Sequence, residues 1–175
     1  MIHDPLRLIE TVLAEGTNTA SSLHGPAHWR SVAWTGLQLI PDVPGCDADV
    51  VFLFALLHDS MRVDDGHDRG HGQRAAEFAR LLHGRGLLRV RGEQLSTLAF
   101  ACENHDAGRV SPDPTVGVCW DADRLNLWRI NVRPDPKFLS TRPGKREDVI
   151  RKAAGLHGQR RDWGEIIDAY RGLGV

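Results

Sequence analysis

The sequence predicts an all-α fold of about seven helices. Apolar residues recur at helical spacing in segment after segment, no stretch alternates as a half-buried strand would, and Pro and Gly punctuate the periodic segments. One segment dominates. Val50 to Leu57 is an unbroken apolar run, VVFLFALL, preceded by Asp47, whose carboxylate can accept from the first free N–H groups of a helix. A helix that is apolar all round has no solvent face, so this one is expected to pass through the domain centre and run to Ser60.

The other elements follow in order. Asp4 to Glu15 places Leu6, Ile9, Val12 and Leu13 at helical spacing, with Pro5 suited to the first position and Gly16 as a stop. Thr17 to Gly25 is polar and small, hence a loop, and His24 is expected there as an exposed histidine. Pro26 restarts a helix that carries His28 in its first turn and ends at Pro41. After the central helix, VDDGHDRG (Val63 to Gly70) lacks apolar residues beyond its first and reads as a surface loop. His71 opens a helix with Ala75, Phe78, Ala79 and Leu82 inward, closed by Gly84, and His83 suits its C-terminal dipole. Glu93 to Asn104 forms the next helix, with His105 at its end. Asp106 to Thr115 is a loop, and Val116 to Trp128 a helix with Asp123 in its middle. Three prolines break Arg129 to Gly144, and Lys145 to Ala154 and Asp162 to Arg171 make two terminal helices.

Length and charge bound the function. The 175 residues fit a single domain able to bury roughly two thirds of its unfolded surface. A net charge of -1, from 22 basic and 23 acidic residues, gives no footprint for duplex DNA or an anionic membrane. Three cysteines without metal-type spacing suit reduced thiols and a cytoplasmic location, and no run approaches the roughly 20 apolar residues of a membrane span.

The apolar run ends abruptly in His58-Asp59. Burying an imidazole beside a carboxylate is costly unless something pairs with both, and a divalent metal would do so. His28, His71, His105 and Asp123 each sit near a helix end or on a face able to turn inward. Asp123, unfavourable in mid-helix, either joins them or faces water. These donors are imidazole nitrogens and carboxylate oxygens without a thiolate, a mixture suited to Mn, Fe, Mg or Zn in an open site.

His28, then His58-Asp59, then Asp123 within Asp121-Ala122-Asp123-Arg124-Leu125, resembles the H…HD…D signature of the HD-domain superfamily of metal-dependent phosphohydrolases, over about Ala27 to Leu127. The resemblance implies an HD-like helical bundle spanning residues 1–175, with a metal-binding core at about 24–128 and a C-terminal extension at 129–175. It implies that His28, His58, Asp59 and Asp123 hold a first divalent ion. His71 and His105 match the extra histidines of members with two ions, the other oxygen of Asp59 bridging. Asp121 is expected to orient a ligand imidazole.

The implied activity is hydrolysis of a small phosphorylated substrate, a nucleotide being one candidate, with Asp59 and Arg62 at the reacting centre. Arg62 stands where family members place a Lys or a Glu. Its guanidinium suits a phosphate oxygen and is unsuited to giving up a proton, or else it is a helix-end charge. HDAGRVSPDP after His105 lacks a GYP motif, and Arg62-Val63 replaces the ED pair of stringent-response hydrolases. The basic stretch Arg129 to Arg146 either covers the pocket and meets phosphate or is a solvated connector. The alternatives from other classes are an HD-type di-iron oxygenase and a non-catalytic nucleotide-binding module.

Overall fold

The computed structural model describes residues 2–156 and 161–174. Eight α-helices and no strand occur among them. The helices are α1 (Pro5–Glu15), α2 (Pro26–Leu39), α3 (Ala48–Leu57), α4 (His71–Gly84), α5 (Gly92–Asn104), α6 (Pro114–Leu125), α7 (Glu147–Leu156) and α8 (Trp163–Gly172).

The chain is built around α3. Asp47 caps it, one carboxylate oxygen accepting from the amides of Asp49 and Val50 at 3.0 and 3.2 Å. Every residue from Val50 to Leu57 is 1% exposed or less, so no face of this stretch meets water. Helices α1, α2, α4, α5 and α6 enclose it. Burial of side chains such as Phe52, Phe54 and Leu56 contributes about 1.5–3 kcal/mol each. The helix α8 closes the far end: the Tyr170 hydroxyl donates to Asp49 Oδ1 and accepts from the Ile2 amide, joining both ends of the chain to the start of α3.

Helix α7 runs over Glu147–Leu156 rather than the expected Lys145 to Ala154, and two further differences, in α3 and α6, bear on the site. Helix α3 stops at Leu57 rather than Ser60, because the Ser60 amide and hydroxyl both turn to the Leu57 carbonyl, at 3.0 and 2.8 Å, and tighten the chain into turns. His58 and Asp59 therefore sit in the turn just beyond the helix. Helix α6 spans Pro114–Leu125 rather than Val116 to Trp128. Asp113 caps it by accepting from the Val116 amide at 2.9 Å, and Pro114 fits its first turn, so the helix begins inside the expected loop. After Leu125 the chain tightens into a 3-10 helix, Asn126–Ile130, where the Asn126 side chain donates to the Ala122 carbonyl and to Thr35 Oγ1. His83 lies in the last turn of α4, but its Nδ1 pairs with the Leu88 carbonyl at 2.9 Å and so fastens the following loop.

Among the described residues no helix is long and apolar enough to cross a membrane. The seam that positions the site is α4 on α5. A Cβ on Gly72 would lie 2.4 Å from the Cys102 carbonyl oxygen, so only glycine lets the start of α4 rest on the end of α5. Gly72→Ala should force the helices apart and lower stability by about 1–3 kcal/mol. Urea denaturation checks this, and an unchanged midpoint would show that the contact is absent.

Candidate metal centre

The turn after α3, the first turn of α2, the start of α4, the end of α5 and the last turn of α6 meet at one point; Asp123, expected in mid-helix, is near the end of α6 because that helix stops at Leu125. Asp59, 2% exposed, is at its centre. Its Oδ2 faces His28 Nε2 at 3.7 Å and His58 Nε2 at 3.6 Å. Its Oδ1 faces His71 Nε2 at 3.4 Å and His105 Nε2 at 3.7 Å. Asp123 Oδ1 approaches His28 Nε2 at 3.1 Å and His58 Nε2 at 3.8 Å, so it turns inward rather than to water. All six residues expected at the site are thus near neighbours, although they span five elements.

Local hydrogen bonds determine which nitrogens face the centre. The Nδ1 of His58 lies 3.1 and 3.2 Å from the carbonyls of Phe54 and Ala55, that of His105 lies 2.8 Å from the Cys102 carbonyl, and that of His71 is bonded to the Asp68 carbonyl. A carbonyl only accepts, so each Nδ1 carries the proton and each Nε2 offers a bare lone pair. These bare nitrogens are turned toward other donors: His58 Nε2 is 3.2 Å from His28 Nε2, and His71 Nε2 is 2.9 Å from His105 Nε2. Convergent lone pairs repel unless a proton or a metal cation lies between them. Two nitrogen or oxygen ligands about 2.1 Å from a common ion are separated by roughly 3.0–3.4 Å at octahedral or tetrahedral angles, close to the spacings found. His28, His58 and Asp59 form one group able to hold a metal ion, and Asp59, His71 and His105 form another.

The charge balance follows from the same packing. Burial pulls the His58 imidazole down to about 3 and lowers His28 and His71 as well. Burial alone would push the carboxyls of Asp59 and Asp123 up, but the surrounding imidazoles hold both well below the usual range. Burial disfavours the imidazolium of His105 too, yet Asp59 outweighs it and raises that pKa.

The DADRL segment sends its polar side chains three ways. Asp123 reaches the imidazoles. Asp121, expected to orient one of them, instead accepts from the amides of Ser140 and Thr141 and from the Thr141 hydroxyl, at 2.5, 2.7 and 2.7 Å. It lies on the other side of α6 and fastens the C-terminal segment. Arg124 donates to the carbonyls of Phe138 and His105.

A cavity of about 320 Å³ opens over the centre, lined by His24, Asp59, Arg62, His71, His105, Asp123, Arg129 and Phe138 among others. His24 overturns its expectation as an exposed loop residue. It lies off α2 as read, but its Nδ1 is 2.9 Å from Asp59 Oδ2, and its carbonyl is gripped by Trp29 Nε1 at 2.6 Å. The His24-to-His28 spacing was the signal, masked by the intervening Gly25-Pro26. Arg62 lies at the cavity edge beside Asp59 Oδ1 at 3.4 Å. Of the basic stretch, Arg129 reaches the cavity, its Nη2 3.5 Å from His24 Nδ1. Lys137 pairs with Asp135, and Arg142 borders a separate hollow with Asp42 and Arg146. His67 is exposed and bonds Arg69.

In the metal-free protein, His28, His58 and His71 take up fewer protons folded than unfolded below about pH 6.5, so acid favours unfolding. His105, with its raised pKa, contributes in the opposite sense. Below about 3.8 the stabilising ionisation of Asp59 and Asp123 begins to be lost too. The urea midpoint of chelator-treated protein should therefore fall between pH 7 and pH 5 and fall further below pH 4. A midpoint flat from pH 7 to pH 5 would contradict the buried neutral imidazoles.

Compared with protein-family models, with curated proteins and with solved structures, the chain matches none of them.

Proposed function

We propose that this chain is a metal-dependent phosphohydrolase of the HD-domain kind, acting on a small phosphorylated substrate. The observation that carries the proposal is the set of four imidazole nitrogens converging on the two oxygens of Asp59 at the floor of a cavity bordered by arginines. Nitrogen and oxygen donors without a thiolate suit a divalent ion such as Mn, Fe, Mg or Zn in a site that keeps open positions. His28, His58, Asp59 and Asp123 would hold it. When bound, such an ion supplies a water acidic enough to ionise near neutrality and positive charge for the phosphoryl oxygens.

The chain's own groups supply the rest. Asp59 holds the imidazoles in register from between them. The Arg129 guanidinium is anchored by the carbonyls of Leu23 at 3.0 Å and Asn126 at 3.1 Å, which leaves other N–H groups for a phosphate oxygen in the cavity. His24, between Arg129 and Asp59, stands where a substrate oxygen would enter. The cavity is at the small end of ligand sites, and Leu127 and Phe138 on its wall offer an apolar surface to the body of a phosphoester. In hydrolysis the water oxygen forms a bond to phosphorus, the bond from phosphorus to the leaving oxygen breaks, and a proton passes to that leaving group.

One observation favours the di-iron oxygenase as a second reading: Asp59 offers one oxygen to each of two donor groups. Metal quantification on aerobically purified protein separates the two. Iron at two per chain with substrate-dependent O₂ consumption would replace the hydrolase reading, whereas phosphate release from a panel of phosphomonoesters, phosphodiesters and nucleotides supports it.

Asp59→Ala should lose both the metal and turnover while keeping most of its helical circular dichroism. A variant that retains its metal would remove Asp59 from the centre. Arg129→Ala should raise KM for a phosphorylated substrate roughly ten- to hundredfold, the loss of one charged hydrogen bond. Lys137→Ala, outside the cavity, should leave it unchanged; the reverse pattern would place substrate phosphate elsewhere.

A further inference from the structure

The two donor groups that share Asp59 are not equivalent. Beside His71 and His105 lies a permanent cation. Arg62 Nη1 is 3.1 Å from His71 Nε2 and 3.4 Å from Asp59 Oδ1, two of the three atoms that a second metal ion would need. His71 Nδ1 is committed to the Asp68 carbonyl, so the lone pair on Nε2 is the acceptor of the guanidinium hydrogen.

The placement of that guanidinium is built, not incidental. Arg62 is 7% exposed. Its Nη2 donates to the Gly66 carbonyl at 2.8 Å and its Nε to the Asp64 carbonyl at 3.3 Å. The Arg62 carbonyl is held by the Thr17 hydroxyl at 2.5 Å. The loop that supplies the two acceptors is itself tied down. Asp68 accepts from the Val63 amide and from Arg74, and Asp65 accepts from Asn18 and Ser21. The side chain therefore has fixed anchors behind it and the donor atoms of the second group in front. A guanidinium stays charged at any working pH. A dication entering between His71 and His105 would need the lone pairs the guanidinium already uses, and it would sit beside a like charge in a buried setting.

We propose that Arg62 takes the place of a second metal ion, so that the centre holds one divalent ion, at His28, His58, Asp59 and Asp123, and the guanidinium supplies the positive charge on the other side of Asp59. This rests on the metal-dependent reading above, and it narrows the expectation of one or two ions to one. His71 and His105 then act as positioning residues, holding Arg62 and the Oδ1 side of Asp59 in place.

The test is metal stoichiometry, which does not depend on turnover. Full-length protein is stripped with chelator and titrated with Mn²⁺ by calorimetry, with bound metal counted after desalting. The wild type should bind one ion per chain. Arg62→Gln, which keeps hydrogen-bonding capacity but removes the charge, should bind two, and adding His71→Gln to it should return the count to one. His71→Gln alone should leave the count at one. Two ions on the wild type overturn the proposal while leaving the metal-dependent reading intact, and this holds even if Arg62→Gln fails to fold. A folded Arg62→Gln that still binds one ion also overturns it. No ion on the wild type removes the metal-dependent reading itself.

Discussion

A single buried carboxylate holds this site together. Asp59 stands between two pairs of imidazoles and presents one oxygen to each, so it sets the spacing of side chains from α2, α4, α5 and the end of α3. An ionised carboxylate at that depth is tolerable only because cationic and hydrogen-bonding partners surround it. Three of those partners, His58, His71 and His105, have their Nδ1 atoms tied to backbone carbonyls and turn Nε2 to the centre, where a cation would pair with the converging lone pairs. The convergence of donors and the need for positive charge are the same constraint seen from two sides.

The fold serves that constraint through α3. A helix buried on every side delivers its last residues to a fixed point, because no solvent-facing stripe allows it to roll. Around that point the neighbouring helices approach by short, specific contacts. Gly72 lets α4 rest on the Cys102 carbonyl, and that same carbonyl accepts from His105. Arg124 grips the His105 carbonyl from α6, while Trp29 Nε1 holds the backbone at His24. Backbone positions next to the candidate ligand side chains are thus held by hydrogen bonds of their own, which is what a site with close geometric tolerances needs.

Positive charge around the centre is divided between a place for a metal and fixed arginines. Arg62 and Arg129 both reach it and both are anchored by backbone carbonyls, Arg62 pairing in addition with Asp59 Oδ1. Carbonyl anchors hold the Arg129 guanidinium without neutralising it, so its charge remains available to an anionic ligand. The exposed bases of the 129–146 segment differ in this respect: Arg133, Lys137 and Arg146 are each paired with a nearby acid.

The sequence by itself determined the all-α class and the buried centre, because hydrophobic periodicity and the uninterrupted VVFLFALL run are local features that no tertiary arrangement can reverse. It also singled out His58-Asp59 as a candidate ligand pair, since few reasons exist to end an apolar helix in His-Asp. It did not determine their orientations. Asp121 and Asp123 are two residues apart on one helix, and only the packing of α6 sends the first to the 139–144 segment and the second to His28. His24 was hidden behind a Gly-Pro break, and Arg129 was one base among six in a basic stretch. Their places at the cavity depend on long-range contacts, across 35 residues to Asp59 for one and 106 to the Leu23 carbonyl for the other. Such contacts leave no periodic trace in the chain, and the tertiary structure alone decided them.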